Sequence, residues 1–155
     1  TPQALLVGAV PGAMPPLMGW AAATNNLALP GLILFGVLLV WQIPHFIAIS
    51  IYRQPEYARA GFRTVPNVRG VNNARWQTLA WATSLIPLSI ALTPIGAAGW
   101  LYGVLALVIS VGFLWQCLSG FRTELPARWA RRVFLASLVY MPAIAAALFL
   151  DRLIA

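Results

Sequence analysis

Five apolar stretches, each close to the length of one membrane crossing, constrain this 155-residue chain more than any other feature. They lie at 4–23, 28–51, 76–93, 98–118 and 133–150. A helix needs about 20 mainly apolar residues to cross the hydrocarbon core of a bilayer. None of the five alternates polar with apolar residues, so lipid-facing barrel strands are not expected. The pattern predicts an all-α, polytopic transmembrane helix bundle of five spans. Composition closes off the alternatives: 61% of residues are apolar, 8% are charged, and mean hydropathy is +0.81. Too few polar side chains remain to cover a water-facing surface, which excludes both a soluble globule and a disordered chain.

Charge supplies the orientation. All ten basic residues are arginine, and the only acids are Glu56, Glu124 and Asp151. Residues 52–75 carry Arg53, Arg59, Arg63, Arg69 and Arg75 against Glu56, and residues 119–132 carry Arg122, Arg128, Arg131 and Arg132 against Glu124. The connections at 24–27 and 94–97 carry no charge. Five successive crossings place both basic loops on one side, which the positive-inside rule makes cytoplasmic. The expected topology has Thr1 cytoplasmic and the C-terminus at Ala155 outside, in a cell inner (plasma) membrane. The pI near 11.2 then reports orientation rather than nucleic acid, and no nucleic-acid partner is expected.

Smaller features follow from the same frame. The single Cys117 excludes a disulfide framework and reads as a small buried hydrophobe. The chain opens at Thr1-Pro2, with no basic segment ahead of a short apolar core, so a signal peptide is not expected there, and a processed chain or a piece of a longer one is. Pro11, Pro15 and Pro16 punctuate the first stretch, Pro44 the second, Pro87 the third and Pro142 the last. Proline frees a backbone carbonyl, so these positions predict kinked helices packed against neighbours or a cavity. Gly8, Gly12 and Gly19 predict close helix approach in the first stretch. The third stretch is short, so Arg75 and Trp76 are expected at the interface.

Polar and titratable groups gather at one place, residues 41–70, WQIPHFIAISIYRQPEYARAGFRTVPNVRG. His45 lies about two turns inside the second stretch. An ionisable group at that depth marks a site, or else a neutral ring bonded to a carbonyl that Pro44 frees. Glu56, alone among five arginines, reads either as an ion-pair partner or as an oxygen ligand for Mg²⁺, which commonly bridges carboxylates and substrate phosphates. Arg53, Arg59, Arg63 and Arg69 suit a diphosphate, or equally an orientation signal that attracts anionic lipid. One carboxylate does not make a two-metal site. The aromatic residues read as interface belts and packing.

These strings resemble the protoheme IX farnesyltransferase (haem O synthase) family of UbiA-type membrane prenyltransferases. The matching residues are Pro44-His45-Phe46, Tyr52-Arg53-Gln54-Pro55-Glu56-Tyr57, Ala60-Gly61, Val65-Pro66 and Arg69-Gly70. Upstream, Thr1-Pro2-Gln3 and the run Gly12 to Trp20 match; downstream, Ala130-Arg131-Arg132-Val133-Phe134 and Ser137-Leu138-Val139-Tyr140 do. The resemblance covers essentially the whole chain, in the family's order. It implies transfer of farnesyl from farnesyl diphosphate to a vinyl group of haem b, with Mg²⁺ as cofactor.

By the same resemblance, Glu56, Arg53 and His45 are the expected catalytic residues, Glu56 is a Mg²⁺ ligand, and Tyr57, Arg59, Arg63 and Arg69 bind substrate. Glu56 stands where the family has Asp, Pro55 restricts the backbone before it, Arg63 takes the place of a loop proline and Asn67 that of an apolar residue. The family's fold has about nine helices in two halves, of which these residues match the later five. The earlier half is expected to hold the main metal ligands, so residues 1–155 alone are expected to be inactive. Implied partners are the bilayer, the N-terminal half of the same protein and a haem A synthase. The rivals are a prenyltransferase for a quinone precursor or chlorophyllide, a non-catalytic membrane protein, and a paralogue that keeps the fold without the chemistry.

Overall fold

The computed structural model describes residues 4–154, so Thr1, Pro2, Gln3 and Ala155, including both expected terminus positions, lie outside the described residues. Six α-helices follow one another: α1 (Ala4–Thr24), α2 (Leu29–Tyr52), α3 (Gln54–Arg59), α4 (Val65–Ile90), α5 (Trp100–Leu118) and α6 (Pro126–Ile154). A 3₁₀ turn, Ser119–Arg122, joins α5 to α6. No strand occurs among the described residues. Proline serves twice in this chain. Pro30, Pro55, Pro66 and Pro126 stand at the starts of α2, α3, α4 and α6, where the missing N–H has no intrahelical partner to lose. Pro11, Pro15, Pro16, Pro44, Pro87 and Pro142 lie inside helices that continue through them.

α2, α4, α5 and α6 form a closed ring in which α2 packs on α4 and α6, and α5 packs on the same two from the other side. α1 lies outside the ring, against α2. The core between the four helices holds Val37, Ile47, Leu85, Tyr102, Val133 and Tyr140, all essentially inaccessible. Polar groups in this apolar interior find one another. The Tyr140 hydroxyl lies 2.7 Å from Ser89 Oγ and 2.9 Å from Ser110 Oγ, and the Tyr102 hydroxyl donates to the Ser89 carbonyl at 2.7 Å. Without water to take these groups, such links tie α4, α5 and α6 together.

The seam between α1 and α2 rests on Gln42. Its amide donates to the carbonyls of Ala9 on α1 (3.2 Å) and Leu38 on its own helix (3.1 Å). Gly12 makes room for it, since a Cβ there would overlap Gln42 Oε1. The outer surface of the bundle is apolar: Val7 and Met18 on α1, Val108 and Trp115 on α5, and Val139 and Phe149 on α6 are exposed. A face of that kind suits lipid. Four helical segments are long and apolar enough to cross a membrane: Leu5–Thr24, Leu29–Tyr52, Trp100–Arg122 and Pro126–Ile154. The chain is an all-α, polytopic helix bundle.

The expected third span, 76–93, is helical as far as Ile90 but is not among those four, because Gln77, Thr78, Thr83, Ser84 and Ser89 dilute it. Helices also run past the apolar limits. α6 begins at Pro126 and α4 at Val65, so the loops expected at 119–132 and 52–75 are largely helical. Hydropathy marks membrane depth, whereas hydrogen bonding and proline mark helix ends. α4 itself is broken at Gly70, whose φ of 81° and ψ of 160° separate a short first segment from the long one. A residue with a Cβ is strained at that φ.

Candidate functional site

Counting alternate crossings, the ends of α2 and α5 and the starts of α4 and α6 share one face of the bundle. Arg53, Arg59, Arg63, Arg69, Arg75, Arg122, Arg128, Arg131 and Arg132 all sit at that end, with Glu56 and Glu124. The other end has Asp151 and Arg152. The site residues expected from the sequence fall into three groups.

The first lies on α3 and the turn after it. Arg53 leaves the end of α2 and its Nη1 lies 2.9 Å from Glu56 Oε1, with about half of each side chain open to water. The carboxylate holds the Arg53 guanidinium above its ordinary pKa. The guanidinium also lies 5.2 Å from the centre of the Tyr52 ring. Tyr57 meets Phe62 edge to face, with ring centres 5.8 Å apart, and Arg59 Nε donates to the Pro55 carbonyl at 3.3 Å. The chain reverses at Gly61, whose φ is 74°, and the Asn67 amide closes the turn on the Phe62 carbonyl at 3.1 Å. This small helix therefore gathers Arg53, Glu56, Tyr57 and Arg59, and Arg63 follows on the exposed link.

The second group is a cleft of about 160 Å³ between α1, α2 and the start of α4. It is lined by Leu5, Leu6, Ile43, Val65, Arg69, Gln77 and Trp81. Arg69 brings a cation to an otherwise mostly apolar wall. Arg75, nearby on α4, turns instead toward the second basic segment, donating from Nη2 to the Thr123 carbonyl at 3.0 Å and lying 5.8 Å from the Trp129 ring.

The third group surrounds His45. Its ring stacks on Trp41 (centres 4.9 Å apart, planes at 23°) and packs tilted against Phe134 of α6 (4.9 Å, 32°), with Phe46 at its edge (5.5 Å, 68°). Nδ1 lies 2.8 Å from Ser137 Oγ. The partner is thus a hydroxyl on α6, and not the carbonyl that Pro44 frees. Trp41 Nε1 donates to the main-chain carbonyl of the same Ser137 at 2.9 Å. His45 lies eight residues before Arg53, about 12 Å along the helix. No hydrogen bond or ion pair joins it to Glu56 among the described residues.

The fit to Mg²⁺ is limited. Among the described residues, no three His, Cys, Asp or Glu side chains come together as a metal site. Glu56 offers one carboxylate, already paired with Arg53, so these residues do not hold the ion by themselves. Sequence reasoning gave Ser137 no role of its own and passed over Gln77 and Trp81. Gln77 carried a signal, since a carboxamide near an apolar stretch is costly unless it faces a cavity. Trp41 read as packing, and its role in holding His45 needed the fold. Cys117 is buried, as expected of a small hydrophobe.

The fold and its basic end define a class: a multi-pass helical membrane protein with cationic groups over an apolar bundle. The UbiA prenyltransferase family matches residues 1–138, and the chain belongs to that family. It is 48% identical over 147 residues to a protoheme IX farnesyltransferase of Anaeromyxobacter sp. (strain Fw109-5), covering 95% of this chain and 49% of that one. It is 43% identical over 152 residues to a protoheme IX farnesyltransferase of Myxococcus xanthus (strain DK1622), covering 98% and 52%. A third relative of the same name, from Sorangium cellulosum (strain So ce56), is 41% identical over 150 residues, covering 97% and 54%. The chain spans about half the length of these curated relatives. No solved structure matches it.

Proposed function

We propose that the protein transfers farnesyl from farnesyl diphosphate to a vinyl group of haem b, giving haem O. The relatives' shared name supports the reaction. The observation in this chain that carries it is the Arg53–Glu56 pair on α3, set among arginines at one end of an apolar bundle. An amphiphile with a diphosphate head and an isoprenoid tail has the same division of character.

In the reaction, the allylic C–O bond breaks and the diphosphate leaves with both electrons. The vinyl carbon attacks the allylic carbon, and water adds to the cation left on the porphyrin side chain, releasing a proton. Arg53, Arg59, Arg63 and Arg69 bind and neutralise the departing diphosphate by charge-assisted hydrogen bonds. Tyr57 packs beside them. The cleft lined by Leu5, Leu6, Ile43 and Trp81 suits the first carbons of the tail. Mg²⁺ is proposed as an ion carried by the diphosphate, with Glu56 as one protein ligand and the rest of the shell supplied from outside residues 4–154. Residues 1–155 alone are proposed to be inactive and to act with the remaining half of the fold.

The basic end is proposed to face the cytoplasm in the inner membrane, with the end of α6 outside. A haem A synthase is the proposed partner.

The test is acceptor choice. Membranes containing the native protein receive farnesyl diphosphate and Mg²⁺ with haem b or with 4-hydroxybenzoate, and the extracts are read by mass spectrometry. Farnesylated haem and no prenylated benzoate is the expected result. Prenylated benzoate alone would move the protein to a quinone-type acceptor, and no prenylated product from folded protein would leave a paralogue without the chemistry.

A further inference from the structure

Ser137 occupies a position whose hydrogen bonds decide which nitrogen of His45 carries a proton. Its hydroxyl lies 2.6 Å from the Phe134 carbonyl, one turn back on α6. A carbonyl has no proton to give, so the Ser137 hydroxyl donates there. Both contacts are satisfied together when that hydroxyl accepts a hydrogen bond from a protonated His45 Nδ1, 2.8 Å away. In the neutral imidazole, Nε2 keeps its electron pair, and it has no hydrogen-bond partner among the described residues. The ring cannot easily turn to exchange its nitrogens, because Trp41 and Phe134 pack against it and Trp41 is itself tied to the Ser137 carbonyl.

We propose that Ser137 is a positioning residue that holds His45 as the Nδ1–H tautomer, leaving Nε2 as an electron-pair donor to the iron of the haem acceptor. The second half of this statement rests on the haem reading of the preceding section; the first half does not. Ser137 acts only through His45 and touches no substrate. One side chain on α6 thereby sets the chemistry of another on α2, the helix packed beside it.

His45 is the only histidine of residues 1–155, and in the native protein labelled with ¹⁵N-histidine its signals are assigned as those lost in His45→Gln. In lipid bilayers at neutral pH, solid-state NMR of the native protein is expected to show a protonated Nδ1 and a bare Nε2 for His45. Ser137→Ala is expected to give a mixture of the two tautomers. A bare Nδ1 with protonated Nε2, or a ring protonated on both nitrogens, in the unsubstituted protein would overturn the proposal.

The second readout is haem b added to membranes of the native protein, followed by its optical and EPR spectra. An imidazole-ligated, low-spin signal is expected, lost in His45→Ala and weakened in Ser137→Ala. A haem signal unchanged by His45→Ala would overturn the iron-donor role. If the native protein made no farnesylated haem while the ring was Nδ1–H, the functional reading would fail and the positioning by Ser137 would stand. Haem O formation with an Nε2–H ring would sink the positioning alone.

Discussion

The Asp151 carboxylate, three residues before the end of α6, accepts the main-chain N–H of Gly99 at 2.6 Å. Its other oxygen accepts the N–H of Tyr102 at 3.1 Å, so one buried acid caps the first turn of α5. The free N–H groups of a helix start are satisfied, and the negative charge meets the positive end of the helix dipole. Gly99 is required for the approach, since a Cβ there would stand 2.6 Å from Asp151 Oδ1. Arg152 completes the joint by donating to the Ala97 carbonyl at 2.8 Å.

Asp151→Ala should therefore destabilise the protein by about 1–2 kcal/mol, the usual worth of a helix cap. Thermal unfolding in detergent measures this. Gly99→Ala should cost a similar amount by pushing the carboxylate away. An unchanged melting temperature in both variants would show that the cap contributes nothing.

Gly12 and Gln42 make a second test, at the seam of α1 and α2. Gly12→Ala places a methyl group where Gln42 Oε1 now lies, so either the carboxamide leaves its bond to the Ala9 carbonyl or α1 moves outward. The expected cost is about 1–3 kcal/mol, as for an overpacked core. Gly8→Ala on the same helix meets no neighbour within 4 Å and should be silent, which makes it the control.

Tyr140→Phe removes the hydroxyl shared by Ser89 and Ser110 in the middle of the bundle. Interhelical hydrogen bonds in membrane proteins average about 0.6 kcal/mol and reach about 1.7. The loss should fall within that range, because Ser89 and Ser110 can each turn back to a carbonyl of their own helix. Unfolding in mixed detergent, with Ser110→Ala alone and combined, separates the pair; additive effects would deny the link.

The relation between sequence and structure can be read from these residues. The helical class was legible because apolar runs near 20 residues have few other solutions, and the basic end because nine arginines fall in two of four connections. The ends of α4 and α6 were not, since a helix does not stop where apolarity does, and Pro126 and Pro66 start helices well outside the apolar runs. Glu56 and Arg53 were visible as neighbours on one short segment. The tie between His45 and Ser137 was not, because it joins residues 92 apart on different helices. Asp151 announced itself only as an acid at the end of an apolar run, with no hint of the helix it caps.

The exposed Arg53–Glu56 pair separates chemistry from stability. With both side chains about half open to water, removing the carboxylate should leave the melting temperature unchanged. The most direct test of the account is Glu56→Gln in membranes of the native protein supplied with haem b, farnesyl diphosphate and Mg²⁺, with farnesylated haem measured by mass spectrometry. The account predicts farnesylated haem from the unsubstituted protein and a loss on the order of 100-fold or more in the variant at unchanged stability. Equal product from both proteins would contradict it, and would remove the Glu56 carboxylate from the reaction.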